Sequence, residues 1–152
     1  MNMTLQDCAD IVQGELIGDN VSFESVSIDT RAIQQGQLYV AIKGKNFDGN
    51  DFVEQAAQTG AIAAMVHEGV ETALPHIVVK DSRLALAEFA GAWRKRLNIS
   101  VVGITGSNGK TTVKEMTAAI LSVQDTVLYT QGNLNNDIGV PPVSYTHLRA
   151  HE

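Results

Sequence analysis

The first twelve residues have the pattern of an amphipathic helix. Thr4 and Asp7 stand three residues apart, as in a capping box, and the apolar residues after Thr4 recur at helical spacing. The apolar residues that would share one face are Leu5, Cys8, Ala9 and Val12. The pattern therefore predicts a helix that begins after Thr4 and buries this face, with Cys8 as a buried thiol.

Short strands and a further helix are predicted between the break at GELIGDN and Lys80. The stretch VSFESVSIDT alternates between polar and apolar residues and QLYVAIKG is mostly apolar, so both are predicted strands. DFVEQAAQTG has a helical pattern that ends at Gly60, while AIAAMV and HIVV are apolar runs typical of buried strands. The order β-β-α-β-β predicts a small α/β domain over residues 1–80.

The second half of the chain changes to a helix followed by a strand–loop–helix–strand pattern. Asp81 or Ser82 caps the first of these helices, and its apolar residues recur at helical spacing up to Leu97. ISVVGIT predicts a strand, a glycine-rich turn and an amphipathic helix follow it, and TVLYT predicts the next strand. Such a βαβ unit begins a parallel sheet, so residues 81–141 are predicted to be the incomplete start of a second α/β domain.

Composition narrows the class of function. The 152 residues include 17 acidic and 11 basic residues, a net charge of −6, whereas nucleic-acid binding requires a basic surface. A single cysteine excludes an intramolecular disulfide. The sequence shows neither a leader pattern nor an apolar stretch of about 18 residues, so we expect a cytoplasmic protein that does not contact a membrane.

The glycine-rich turn has the clearest chemistry. Residues 106–111 read Gly-Ser-Asn-Gly-Lys-Thr, and glycines allow consecutive backbone N–H groups to face one anion at the start of a helix. Lys110 would supply a positive charge to the β- and γ-phosphates, and the Thr111 hydroxyl is a candidate Mg²⁺ ligand. The common P-loop has glycine where this chain has Ile104, so this is a variant loop, with the context of strand and helix that phosphate binding requires.

This variant loop resembles that of the Mur ligase family, the ATP-dependent amide-forming enzymes of bacterial cell-wall synthesis. YTQGNLNNDIGVP, residues 129–141, is similar to the branch of the family that adds D-alanyl-D-alanine. The stretch SIDTRAIQQGQLYVAIKGKNFDGNDFVEQAAQTGAIAAMV is similar to the family's N-terminal domain, which holds the UDP end of the substrate. The resemblance extends from about Met3 to Pro141.

The resemblance implies a specific reaction. The γ-phosphoryl group of ATP is transferred to the terminal carboxylate of UDP-N-acetylmuramoyl-tripeptide, and the amine of D-alanyl-D-alanine attacks the acyl phosphate. This chemistry depends on positioning and charge neutralisation, which agrees with a sequence without a Ser/His/Asp or Cys/His constellation. The alternatives are a sister ligase that adds the third amino acid, a folate-glutamate ligase, and a non-catalytic nucleotide-binding module.

The family's nucleotide-site roles fall on one short segment and one asparagine. The residues implied to hold the ATP phosphates are Gly106, Ser107, Asn108, Gly109, Lys110, Thr111 and Thr112. Within this set Lys110 is the implied catalytic cation and Thr111 the implied Mg²⁺ ligand. Asn136 is the second implied catalytic residue, because its amide donates to an oxyanion without attracting the cation. Asn133 and Asn135 are weaker candidates, since asparagine is common in turns.

The implied contacts to UDP are Thr30 and Arg31 in the Asp-Thr-Arg segment, and the alternative there is an Asp29–Arg31 surface pair. Asp48 and Gly49 also resemble the family pattern, although a tight turn explains them nearly as well.

Two histidines that follow or begin predicted strands are also candidates for chemistry. His67 and His76 lack a spaced Cys or carboxylate partner, so we expect solvated histidines and not metal ligands.

Residues 142–152 depart from the family pattern. SYTHLRAHE has no clear apolar face, and His147 and His151 stand at a spacing that chelates metal on a helix, but an artefactual or mobile terminus is the expectation. The resemblance also predicts that these 152 residues are a truncated enzyme, with a folded first unit, a marginal P-loop segment and no turnover by themselves. A monomer is expected.

Overall fold

The computed structural model describes residues 3–96, 100–124 and 126–130. In chain order its elements are β1 Met3–Thr4, α1 Leu5–Val12, β2 Glu15–Ile17, β3 Ser22–Phe23, β4 Ser25–Ser27, β5 Gln37–Val40, α2 Val53–Thr59, β6 Ala61–Val66, β7 His76–Val78, α3 Ser82–Arg96 and α4 Lys110–Leu121. Short 3₁₀ turns occupy Thr30–Ala32 and Gly49–Phe52. This mixture of strands and helices confirms the predicted α/β class.

The main sheet has five strands in the order β2-β7-β6-β5-β4. The neighbours β4, β5, β6 and β7 are all parallel, and β2 closes one edge in the antiparallel direction. β1 and β3 form a separate antiparallel pair. Because neighbouring strands are parallel, four strands end at the same edge of the sheet.

Both faces of this sheet are buried. In β5, Leu38 and Val40 belong to a core that includes residues of α1 and α3, whereas Tyr39 belongs to a second core with Val53 and Ala56 of α2. This alternation is the two-residue period of a strand, and it gives three layers with helices on both sides of the sheet. The near-continuous apolar sequence of β5 and β6 follows from burial on both faces.

The start of α1 has the predicted capping box. The Asp7 backbone N–H donates to Thr4 Oγ1 at 3.1 Å, and the Thr4 backbone N–H donates to the Asp7 carboxylate at 3.3 Å. Cys8 is fully buried on the inner face of α1, and this burial raises the pKa of its thiol to about 12. The predicted burial of the Cys8 thiol is thus confirmed.

Helix α3 packs with the N-terminal layers. Phe89 and Trp93 belong to the same core as Leu5 and Cys8 of α1, and the Phe89 ring centroid lies 6.0 Å from that of Phe23. The helix that we expected to open the second domain therefore contributes its apolar face to the first unit. The domain boundary after Lys80 stays a prediction, but the packing groups residues 82–96 with the main sheet.

Three expectations about strands were wrong in detail. VSFESVSIDT is not one strand, because Ser22–Phe23 pairs with β1 while Ser25–Ser27 joins the main sheet. GELIGDN, expected to be only a break, contains strand β2. Residues 100–105 and 126–130 form no strand, since none of the described residues pairs with them and a strand is defined by its hydrogen-bonded partner.

Several sequence predictions lie outside the described residues. These are the predictions for Leu97, for Asn133, Asn135 and Asn136, and for the segment 142–152 with His147 and His151. In the part of the chain that the structure does describe, no helix is both long enough and apolar enough to cross a membrane.

The burial of Phe89 leads to a stability prediction. Phe89 is 1% exposed, whereas Leu84 on the same helix is 59% exposed. We expect Phe89→Ala to lower the free energy of unfolding by about 3–5 kcal/mol, through lost burial and a cavity, and Leu84→Ala to change it by less than about 0.5 kcal/mol. Urea unfolding of both variants measures this, and equal midpoints would show that α3 does not belong to this core.

Candidate functional site

The carboxyl edge of the parallel strands brings together residues from distant parts of the sequence. Asp29 and Arg31 follow β4, Asp48 lies in the connection after β5, and His67 follows β6 directly. Open α/β sheets bind ligands at this edge, where loops leave the strands. Most of the residues that the resemblance assigned to UDP binding therefore lie at one edge.

Asp29 and Arg31 form a two-point ion pair. Arg31 donates from Nε to Asp29 Oδ1 at 2.9 Å and from Nη2 to Asp29 Oδ2 at 2.7 Å, and the Arg31 backbone N–H also donates to Oδ1. These hydrogen bonds lower the pKa of Asp29 to about 2. The surface pair that we weighed as an alternative is therefore present, and the Arg31 side chain, 83% exposed, still offers its outer edge to a ligand.

Thr30 is placed by contact with helix α2. Its hydroxyl donates to Gln55 Oε1 at 3.4 Å, and its backbone lies in the 3₁₀ turn that Asp29 caps. Asp29 thus has two structural roles, because it orders this turn and holds the neighbouring guanidinium.

Asp48 is the centre of a second polar group. One carboxylate oxygen accepts the Asn50 backbone N–H at 2.9 Å, and the other faces Lys43 Nζ at 3.3 Å and His67 Nε2 at 3.2 Å. These contacts, with the Asn50 N–H as the largest contribution, lower the pKa of Asp48. Asp48 therefore links the loop after β5 to the end of β6.

His67 is not the solvated histidine that the sequence predicted. Its side chain is only 7% exposed and its ring contacts Asp48. Within the described residues, neither His67 Nδ1 nor the buried Asn50 Oδ1 has a hydrogen-bond partner. The sequence signal that we missed is the position of His67, immediately after a buried parallel strand.

His76 is also buried, which corrects the same expectation. Its Nδ1 lies 2.9 Å from the Leu74 carbonyl oxygen, so a local backbone contact accounts for this ring. Among the described residues, no group of three or more His, Cys, Asp or Glu side chains is arranged to hold a metal ion.

Gly49 is required by close backbone packing. A Cβ atom there would lie 2.5 Å from the Ile42 backbone nitrogen, a separation that real Cβ atoms do not show. Its N–H donates to the Ile42 carbonyl at 3.1 Å, and its carbonyl accepts the Tyr39 hydroxyl at 3.1 Å. Burial first, and then the charges of Asp29 and Asp48, raise the pKa of Tyr39 to about 12, so this hydroxyl stays a donor that fixes the turn.

The glycine-rich loop ends where α4 begins, at Lys110. Gly109 has φ +76°, a left-handed conformation that glycine adopts without strain, and no side chain caps the helix. Among the described residues, no atom lies within 4 Å of the place where a Cβ of Gly103 or Gly109 would be. The first N–H groups of α4 have no partner within the helix, and such groups can bind an anion.

The Lys110 side chain folds back over this loop. Its ammonium donates to the Gly106 carbonyl oxygen at 2.5 Å and lies 3.4 Å from that of Ser107. The positive charge of Lys110 thus lies at the loop, next to two backbone carbonyl dipoles. The residues fit a nucleotide phosphate, because the Lys110 ammonium and the N-terminus of α4 lie at the same glycine-rich turn.

For Mg²⁺ the described part of the site offers one protein oxygen and not a complete set of ligands. Thr111 lies in the first turn of α4 and offers one hydroxyl oxygen. Mg²⁺ takes six oxygen ligands and commonly obtains most of them from phosphates and water. The site fits an ion that arrives with a nucleotide better than one held by a protein cage.

Beyond the loop, Lys114 joins α4 to the segment 126–130. Its ammonium donates to the Thr130 carbonyl oxygen at 2.6 Å and lies 5.7 Å from the centre of the Tyr129 ring. No sequence argument singled out this lysine.

The ion pair at the sheet edge gives a pH prediction. The pKa of Asp29 in the fold, about 2, lies below the unfolded value of about 3.9, so the pair stabilises the fold above pH 4 and loses this effect as pH falls from about 4 to 2. We expect Arg31→Ala to return the pKa of Asp29 toward 3.9. Carboxyl NMR titration measures it, with Asp48 as the internal control. An unchanged Asp29 pKa would contradict the pair.

Two family models match the chain. The model described as Mur ligase family, catalytic domain, matches residues 22–94, and the one described as Mur ligase middle domain matches residues 104–152. The first match covers the sheet edge and ends within α3, and the second begins just before the glycine-rich loop. The second also includes residues 142–152, whose departure from the family stays a prediction.

Relatives match nearly the whole chain. The UDP-N-acetylmuramoyl-tripeptide--D-alanyl-D-alanine ligase of Escherichia coli is 50% identical over 141 residues, which is 93% of this chain and 31% of that protein. A crystal structure of MurF from Acinetobacter baumannii is 34% identical with a TM-score of 0.89, over 96% of this chain and 33% of that one.

A structure with a nucleotide is also similar. MurF ligase from Thermotoga maritima in complex with ADP is 33% identical with a TM-score of 0.73, over 80% of this chain and 29% of that one. The chain thus spans about a third of the length of the relatives it matches. With both family models matched in order and close relatives over most of its length, the chain belongs to the Mur ligase family.

Proposed function

We propose that this chain is part of an ATP-dependent ligase that joins D-alanyl-D-alanine to UDP-N-acetylmuramoyl-tripeptide. The observation that carries the proposal is the 50% identity over 141 residues with the Escherichia coli ligase of that name. An alignment of that length includes both the sheet edge and the glycine-rich loop. The chain would contribute the UDP end of the substrate site and the phosphate part of the nucleotide site.

The sheet edge suits the UDP end because it presents donors without excess negative charge. Asp29 is paired with Arg31, and Asp48 is paired with Lys43, so the carboxylates there do not repel a diphosphate. The exposed edge of the Arg31 guanidinium matches phosphate or uracil oxygens, and the Thr30 hydroxyl lies next to it. In this proposal Asp48 and Gly49 shape the edge, and Asp48 holds Lys43 and His67 in place.

The loop suits the β- and γ-phosphates of ATP. ATP supplies the phosphoryl group that activates the substrate carboxylate. Lys110 would exchange the carbonyl oxygens of Gly106 and Ser107 for phosphate oxygens, and the loop amides would hold the same group. Thr111 would provide one oxygen to Mg²⁺, and Asn136, outside the described residues, is the proposed donor to the reacting oxygens.

The proposed reaction also sets expectations for the whole protein. Its dependence on ATP favours the cytoplasm, and nothing in the reaction requires a second subunit, so a monomer stays the prediction. The acidic net charge of −6 remains consistent with small anionic substrates held by local cations and not by a basic surface.

A chimeric ligase tests the proposal. Residues 3–141 replace the aligned part of the Escherichia coli ligase, and phosphate release and product mass are followed with ATP, UDP-N-acetylmuramoyl-tripeptide and D-alanyl-D-alanine. We expect release that requires both acceptor and dipeptide. Turnover with a single amino acid and the shorter UDP-dipeptide would identify the sister ligase, and nucleotide binding without turnover would identify a binding module.

A variant of Lys110 in this chimera tests the proposed nucleotide site most directly. Lys110→Ala removes the ammonium at the loop, so we expect ADP to bind roughly tenfold to hundredfold more weakly, the effect of losing a charged hydrogen bond. Lys95→Ala removes the same charge from the exposed end of α3 and controls for net charge. Calorimetric titration with ADP and Mg²⁺ gives both affinities, and equal values for the two variants would remove Lys110 from the site.

Arg31 provides the corresponding variant at the sheet edge. We expect Arg31→Ala to weaken the binding of UDP-N-acetylmuramoyl-tripeptide roughly tenfold while ADP affinity stays unchanged. Arg94→Ala, an exposed arginine at the end of α3, is the matched control. If titrations show the same substrate affinity for both variants, the Asp29–Arg31 pair is only structural.

A further inference from the structure

Lys114 is in a position that the helix alone does not favour. It lies four residues after Lys110, so both ammonium groups project from the same side of α4 near its N-terminus. Like charges at this spacing repel, and cations are unfavourable at the positive end of a helix. The first turn of α4 contains no acidic residue that offsets them. Each lysine has a partner from outside the helix that offsets this cost.

The partner of Lys114 is the segment that follows α4. Two contacts of different kinds, a hydrogen bond to the Thr130 carbonyl and a cation–π contact with the Tyr129 ring, converge on one ammonium. The two ends of the hydrogen bond are sixteen residues apart in the sequence. Lys114 is half-buried in this arrangement, which distinguishes it from the exposed Lys110 one turn earlier.

The contact between Lys114 and Thr130 shortens the stretch of chain between Asn136 and a residue held against α4. Asn136, the proposed donor to the reacting oxygens, stands fifteen residues after the last residue of α4 but only six after Thr130. Fifteen residues reach at most about 50 Å and six at most about 20 Å. The hydrogen bond to Thr130 therefore sets a shorter upper limit on the distance between α4 and Asn136.

We infer that Lys114 is a positioning residue of the proposed ligase, which clamps Tyr129 and Thr130 to the nucleotide helix. Thr130 is then held by Lys114, which lies one helical turn after Lys110 on α4. Lys114 acts through this segment and does not touch the nucleotide. The inference rests on the proposed function, but the clamp itself is a property of the 152-residue chain and is measured separately.

Limited proteolysis with chymotrypsin measures the clamp in the chain itself. The bond after Tyr129 is a chymotrypsin site, and its cleavage rate is followed by mass spectrometry. We expect Lys114→Met to raise this rate at least about fourfold and Lys114→Arg to leave it near the parent value, because arginine keeps both contacts. Lys95→Met is the matched control. Equal rates for Lys114→Met and the parent would overturn the clamp.

The chimera measures the positioning role. We expect Lys114→Met to lower kcat at least about fourfold while the Kd for ADP and the KM for ATP change less than about twofold, and Lys114→Arg to restore kcat. An unchanged kcat, or a loss of ADP affinity equal to the loss of kcat, would overturn positioning in favour of a structural role. If the parent chimera lacks ligase activity, the proposed function fails, while the proteolysis still decides the clamp.

Discussion

The parallel pairing of β5 with β6 is the constraint on which the first unit depends. Because both strands are covered on both faces, their side chains alternate between a core with α1 and α3 and a core with α2. That burial fixes the register, since a slip by one residue would exchange the two faces. The shared strand direction then brings the loops after β4, β5 and β6 to one edge. The polar groups of Asp29 and Asp48 lie at that same edge as a consequence of packing elsewhere.

The segment with the glycine-rich loop and α4 depends on local interactions more than on a buried core. The side chains of Met116 and Ile120 on α4 are exposed, at 60% and 68%, and the flanking segments form no ladder among the described residues. The loop conformation there comes from local features, namely the left-handed Gly109 and the return of Lys110 to its own loop. The proposed phosphate site is encoded over a few consecutive residues, whereas the sheet edge requires the entire first unit.

Sequence reasoning succeeded where the determinants are local. The capping box of α1, the end of α2 at Gly60 and the start of α4 at Lys110 all follow from neighbouring residues. It failed where the partner is distant: β2 pairs with β7, and His67 is buried against Asp48, nineteen residues away. The same reason explains why the sequence did not predict the contact of Lys114 with Thr130, sixteen residues away. The sequence located Thr30, Arg31, Asp48 and Gly49 but not the reason that they converge.

The contact of Lys110 with its own loop places the carbonyl oxygens of that loop in competition with a phosphate at the proposed site. A ligand must replace the carbonyl oxygens of Gly106 and Ser107 before it gains the ammonium. Chloride or another weakly held monoanion offers too little in exchange, whereas a polyphosphate also engages the free amides of the helix. If the proposed phosphate site is correct, this exchange would favour a polyphosphate over a small monoanion.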